Sequence, residues 1–189
     1  MDTEHGLVGQ VALVTGAGRG IGAAIARKLA NLGATVVLCG RTQSALDSTA
    51  RAILGAGGKT EVIPCDVTLL HQLEYAAARV DSTFGRLDIL VNNAGVGGFT
   101  NLLHELPPED WERILNTNLR GVYFSVRAFA PLMIRARSGH IVISDNVGGV
   151  KHFSCTLRRA LLEERHFALV DGFAGSNHGP LVIHSGQDS

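Results

Sequence analysis

From residue 11 to residue 144, short apolar and β-branched runs alternate with longer segments in which apolar residues recur at helical spacing. That alternation is the pattern of βαβ units in a parallel sheet. Strands are expected at 11–15, 35–39, 60–63, 89–92 and 140–143, and their near-continuous apolar character requires helices on both faces. A first helix places Ile21, Ile25, Leu29 and Leu32 on one core-facing stripe, with Gly33 in the left-handed position that ends it. Further helices are expected at 42–54, 69–84 and 109–137, the last opening after Pro107 and Pro108. Pro131 should kink that helix or end it early.

The 189 residues suit one compact domain at roughly 150 residues per domain, and there is no internal repeat or linker-like tract to divide them. Hydrophobic residues make up 46% and charged residues 18%, enough to bury a large core. Seventeen basic and seventeen acidic residues cancel, so no long-range field favours nucleic acid or an anionic membrane. The start MDTEHG has no basic-then-apolar run, and no apolar stretch approaches the roughly 20 residues of a membrane span. Three cysteines, Cys39, Cys65 and Cys155, without CxxC pairing fit thiols in a reducing compartment, and a cytoplasmic location is expected.

The segment Thr15-Gly16-Ala17-Gly18-Arg19-Gly20-Ile21-Gly22 lies between the first strand and the first helix. A pyrophosphate needs backbone N–H groups and a helix N-terminus at close range, and glycine lets the main chain come that near. A glycine turn that only reverses the chain is the plainer alternative, because 23 residues are glycine. No zinc-type spacing of histidine with cysteine or carboxylate occurs, so no metal is expected, and no GxSxG elbow marks a serine hydrolase.

With Thr15, Gly16, Gly20 and Gly22 matching TGxxxGxG, the chain resembles the short-chain dehydrogenase/reductase family. Three further motifs follow in the family's order. Asp66-Val67 follows the third strand, where the family places an acid near the adenine. Asn92-Asn93-Ala94-Gly95 is similar to the NNAG that stabilises the sheet beside the cofactor. Asn118 stands at the family's active-site asparagine. The resemblance covers about residues 8–144, while 145–189 diverge. It implies a Rossmann-type doubly wound α/β fold with a parallel sheet of about six strands, the sixth near 181–184. It also implies hydride transfer between a nicotinamide cofactor and a small carbonyl or alcohol, and a homodimer formed through the 109–137 helix.

Charge bears on the cofactor. An acid at the end of the second strand would hydrogen-bond the ribose of NAD and repel a 2′-phosphate. Here that place holds Gly40, followed by Arg41, with Arg19 inside the glycine turn. Two guanidiniums suit the phosphate of NADP, which is expected over NAD. The alternative is two solvated surface arginines.

The family's proton donor is a tyrosine in YxxxK, whose lysine also holds the cofactor ribose. This sequence has two tyrosines, Tyr75 and Tyr123, both before the fifth strand, and none of Lys28, Lys59 and Lys151 follows either at that spacing. Arg79 and Arg127 stand four residues after the tyrosines, a spacing that ordinary helix-surface packing explains. Ser144 is the candidate for the family's substrate-orienting serine, the alternative being a hydroxyl that ends a strand. Residues 167–170 with Gly172 and Phe173 resemble the helix after the family's lysine, a register that puts His166 in the lysine's place and Leu162 in the tyrosine's. No counterpart of the family's seventh strand and substrate lid is expected. Three readings follow: an impaired NADP-dependent oxidoreductase, a non-catalytic nucleotide- or partner-binding protein, and a truncated or frame-altered product.

Overall fold

A computed structural model describes residues 6–97, 102–145, 151–157 and 169–171. Five parallel strands, β1 (Val11–Thr15), β2 (Thr35–Gly40), β3 (Lys59–Pro64), β4 (Ile89–Asn92) and β5 (Gly139–Asp145), form the centre. Two antiparallel strands, β6 (Lys151–Leu157) and β7 (Leu169–Asp171), extend the sheet beyond β5. The order is β3-β2-β1-β4-β5-β6-β7. Connections run to opposite sides from β1, so the carboxyl ends of β1 and β4 flank the topological switch point where α/β sheets hold ligands. The fold is the doubly wound α/β sheet expected from the sequence.

Alternate residues of β1 and β2 enter two buried layers, which is why their sequences are largely apolar. Val11, Leu13, Val37 and Cys39 join a core with α3 (Leu70–Phe84) and α5 (Gly121–Ala136). Ala12, Val14, Val36 and Leu38 join the other core, with α1 (Gly20–Asn31) and α2 (Gln43–Gly55). Asp88 pins the start of this arrangement: its buried carboxylate accepts the Val11 N–H at 2.8 Å and pairs with Arg86 through two guanidinium nitrogens.

Three expectations change. The buried face of α1 is Gly22, Ala23, Ala26 and Ala30, while Ile21 is 51% exposed and Ile25 and Leu29 only flank the core. The helix lies so close to the sheet and the glycine turn that small residues occupy the contact and large ones are pushed to its rim. Gly33 does adopt the left-handed conformation, at φ 97°.

Pro131 neither ends nor interrupts its helix, which continues to Ala136. The proline sits on an exposed side, where the carbonyl it leaves unpaired can meet water. The irregularity falls earlier, at a π-helical segment, Leu115–Arg120, between α4 (Pro108–Ile114) and α5. Such single-turn π segments collect at functional sites.

Finally, residues 169–171 are a strand rather than part of a helix. Five residues between β5 and β6 are too few for a parallel crossover, so β6 returns antiparallel, and its far edge then pairs with Leu169–Asp171. The sixth strand expected at 181–184 lies outside the described residues, as does His166.

Candidate functional site

The turn after β1 is built by two different uses of glycine. Gly16 and Gly20 have φ of 67° and 54°, the left-handed region where a side chain is strained. Gly18 and Gly22 are needed for space. A Cβ on Gly18 would lie 2.9 Å from the Ala45 Cβ, and one on Gly22 would press on the Gly16 carbonyl oxygen and come 2.5 Å from Asn93 Nδ2. The turn is also anchored from outside: Ala17 N–H donates to the Cys39 carbonyl at 3.0 Å, and the buried Thr49 hydroxyl donates to the Ala17 carbonyl at 3.0 Å.

Arg19 is the residue before α1, and no side chain caps the helix, whose first turn carries no acid. Its N-terminal N–H groups and positive dipole end are therefore available to an anion.

Across the cleft, one network ties β1, β4 and β5 together. The Thr15 hydroxyl, 1% exposed, accepts the Asn93 and Ala94 N–H groups at 3.0 Å each. Asn93 Nδ2 donates to the Thr15 carbonyl at 3.0 Å, and its Oδ1 accepts the Ser144 hydroxyl at 3.1 Å. Asn93 thus spans the switch point and is what the Cβ on Gly22 would meet.

Between these walls lies a cleft of about 450 Å³. Gly16, Gly18, Arg19, Gly20, Ile21 and Gly22 line it from the turn. Arg41, Asp66 and Val67 line it from the ends of β2 and β3, and Asn93, Ala94 and Gly95 from the end of β4. Thr15 lies beneath it rather than in its wall. Asp66 Oδ1 accepts the Thr68 N–H and hydroxyl at 2.9 and 2.8 Å, which turns the chain sharply after β3. Arg19 and Arg41 are exposed and pair with no carboxylate among the described residues.

The residues expected to act on substrate are differently engaged. Asn118 sits in the π segment and clamps the loop after β4: its Oδ1 accepts the Val96 N–H at 2.9 Å and its Nδ2 donates to the Val96 carbonyl at 3.0 Å. Ser144 is held by Asn93 as above. Tyr75 and Tyr123 project from α3 and α5 into solvent, 60% and 57% exposed, and line no part of the cleft. Arg79 pairs with Glu61 at 2.7 Å, which holds its guanidinium above its usual pKa, so this residue serves the helix surface.

Several residues escaped the sequence reading. Thr49 and Thr117 are buried threonines on helices, and Cys65 and Thr42 line the cleft beside recognised motifs. Cys65, next to Asp66, and Thr42, next to Arg41, carried only a positional hint. Among the described residues, no group of three or more His, Cys, Asp or Glu could hold a metal, and no helix is long and apolar enough to cross a membrane.

The geometry fits a dinucleotide: an uncapped helix N-terminus, a main-chain cradle that a Cβ would fill, and two arginines at its rim. Comparison with known proteins agrees. The chain is 37% identical over 144 residues to a 3beta-hydroxysteroid dehydrogenase of Mediterraneibacter gnavus, covering 76% of this chain and 52% of that protein. It is 38% identical to the 3-oxoacyl-acyl-carrier-protein reductase FabG of Thermotoga maritima, covering 76% and 58%. A crystal structure of a metagenomic short-chain oxidoreductase in complex with NADP superposes with a TM-score of 0.70 at 49% identity, over 75% of this chain and 65% of that one. The chain spans a little over half the length of these curated relatives. Residues 10–157 match the family described as short chain dehydrogenase, and this chain belongs to that family.

Proposed function

We propose that this chain binds NADP in the cleft and supports slow hydride transfer with a small carbonyl or alcohol. The observation that carries the reading is the rim of the cleft at the end of β2. There Gly40 leaves no carboxylate, and Arg41 and Arg19 stand without acidic partners among the described residues. An acid at that place would repel a 2′-phosphate, whereas guanidiniums bind phosphate bidentately.

In this reading the N-terminal N–H groups of α1 hold the diphosphate, Arg41 and Arg19 hold the 2′-phosphate, and Asp66 with Val67 borders the adenine. When bound, NADPH would supply the hydride for carbonyl reduction and NADP+ would accept it in alcohol oxidation. Asn93, Asn118 and Ser144 act as positioning residues, since their side chains fix the loop after β4 to β1, β5 and the π segment. The relatives' names and the NADP complex support the redox class. Trp111, Leu119, Tyr123 and Ile134, exposed along 108–136, support a homodimer through that element.

Titration with NADP and NAD tests the nucleotide. NADP should bind at least tenfold more tightly. Arg41→Ala should weaken NADP about tenfold, the roughly 1.4 kcal/mol low end of a charge-assisted hydrogen bond, and leave NAD within about twofold. Equal losses for both would place Arg41 away from the 2′-phosphate.

Turnover is expected to be low because this sequence lacks YxxxK, and absence of a general acid costs about 10²- to 10⁴-fold. NADPH oxidation over a panel of ketones and quinones should exceed the protein-free blank while remaining that far below a typical kcat of about 10 s⁻¹. A rate equal to the blank removes the enzymatic part and leaves the binding part standing.

A further inference from the structure

Thr49 touches no part of the cleft, yet it holds a peptide of the glycine turn. Ala17 is gripped at both of its main-chain polar groups. Its N–H donates to the Cys39 carbonyl of β2 at 3.0 Å, and its carbonyl accepts the hydroxyl of Thr49, on α2, at 3.0 Å. Thr49 is 3% exposed, and the other acceptor near its hydroxyl, the Ala45 carbonyl, is farther away at 3.4 Å.

The bond fixes more than the carbonyl. A trans peptide is planar, so its C=O and N–H point to opposite sides. With the Ala17 carbonyl turned to α2, the Gly18 N–H of the same peptide points away from α2. Gly18 lines the cleft, and its N–H donates to no protein group among the described residues. Without the Thr49 proton this peptide is free to turn over. Inversion changes ψ of Ala17 and φ of Gly18, and glycine accepts either sign of φ.

Position decides which part of a nucleotide this N–H would meet. A Cβ on Gly18 would lie 2.9 Å from the Ala45 Cβ, and Ala45 is in the first turn of α2, just after Arg41 and Thr42 at the cleft rim. Gly18 is therefore on the Arg41 side of the turn, whereas Gly20 and Gly22 open α1, where the diphosphate is proposed to sit. We infer that Thr49 is a positioning residue for the 2′-phosphate. By fixing the Ala17 carbonyl it aims the Gly18 N–H at the group proposed for Arg41 and Arg19, and so adds to the preference for NADP over NAD. A backbone N–H on a phosphate oxygen is a charge-assisted bond, and its strength falls steeply when the donor is turned aside. The inference rests on the nucleotide reading.

Titration of NADP and NAD into the parent, Thr49→Val and Thr49→Ser tests it, with circular dichroism as the folding control. Valine keeps the shape and removes the proton, whereas serine keeps the proton. Thr49→Val should weaken NADP about tenfold and NAD no more than about twofold, and Thr49→Ser should bind NADP within about threefold of the parent. A residue that only braces the fold would move both nucleotides together. Equal losses for NADP and NAD, no loss for either, or a serine protein no better than the valine one would each overturn the inference. Should Thr49→Val not fold, NMR of the 15N-labelled parent decides: the Gly18 amide proton should move downfield with NADP and keep its free position with NAD. The same position in both complexes overturns the inference. A parent that binds NADP no more tightly than NAD defeats the 2′-phosphate reading and this inference with it. A parent that prefers NADP, with Thr49→Val preferring it equally, defeats the inference alone.

Discussion

Gly22→Ala should weaken nucleotide binding at least 100-fold and lower the unfolding free energy by about 1–3 kcal/mol. The added methyl would enter a space bounded by the Gly16 carbonyl oxygen and, at 2.5 Å, by Asn93 Nδ2. Neither boundary can give cheaply. Gly16 is backbone held in the left-handed region, and Asn93 is tied at both ends, to the Thr15 carbonyl and the Ser144 hydroxyl. Overpacking of this kind costs about 1–3 kcal/mol when the surroundings shift, and the shift would move the N–H groups proposed to hold the diphosphate. Urea unfolding and NADP titration measure the two effects together. Gly55→Ala is the matched control: it ends α2 with open space around its Cβ and no positive φ, so it should leave binding unchanged and stability equal or up to about 1 kcal/mol higher. Binding of the Gly22→Ala protein within twofold of the parent would show that the turn does not hold the diphosphate.

The same turn shows what a sequence can and cannot disclose. Its four glycines are legible because each answers a backbone demand, either a positive φ or a close approach, that no other residue meets. The strands are legible for a similar reason: burial on both faces leaves a continuous apolar run, and β1 and β4 fall at 11–15 and 89–92 as their patterns require. The α1 stripe misled because periodicity marks the side of a helix that is apolar, whereas distance to the sheet decides which residues fit there. Ile21, largest at the start of the stripe, therefore borders the cleft instead of the core. Pro131 misled because it lies on an exposed side of its helix, where the carbonyl it frees can face water and the helix runs on to Ala136.

Asn118 is a subtler case. Its motif gave its place but not its engagement: both ends of its amide are committed to Val96, and only tertiary geometry brings residues 22 apart to within hydrogen-bond distance. Thr49 had no signal at all. A threonine within an amphipathic helix reads as surface or core, and its bond to the Ala17 carbonyl depends on α2 lying across the glycine turn. Long-range polar contacts of this kind carry no periodicity, and they are what hold the cleft open.

Thr15→Val should cost about 2–4 kcal/mol in stability and carry nucleotide binding down with it, although the two side chains are nearly the same size. The Thr15 hydroxyl is 1% exposed and accepts two main-chain N–H groups, those of Asn93 and Ala94, at 3.0 Å each. Valine fills the volume but leaves both part-buried donors without their acceptor, and a donor left fully buried and unpaired costs about 1–3 kcal/mol. The chain after β4 could recover water for these groups only by moving off β1. That movement would break the Asn93 bond to the Thr15 carbonyl and release the Ser144 hydroxyl from its acceptor. Thr15→Ser separates the two roles of the residue. It keeps the hydroxyl and loses one methyl, worth roughly 1 kcal/mol, so NADP affinity should stay within about threefold of the parent. If Thr15→Val and Thr15→Ser lose equal stability in urea and equal NADP affinity by titration, the residue matters for its methyl group. If only the valine protein loses both, the hydroxyl is the link through which β1 fixes the far wall of the cleft.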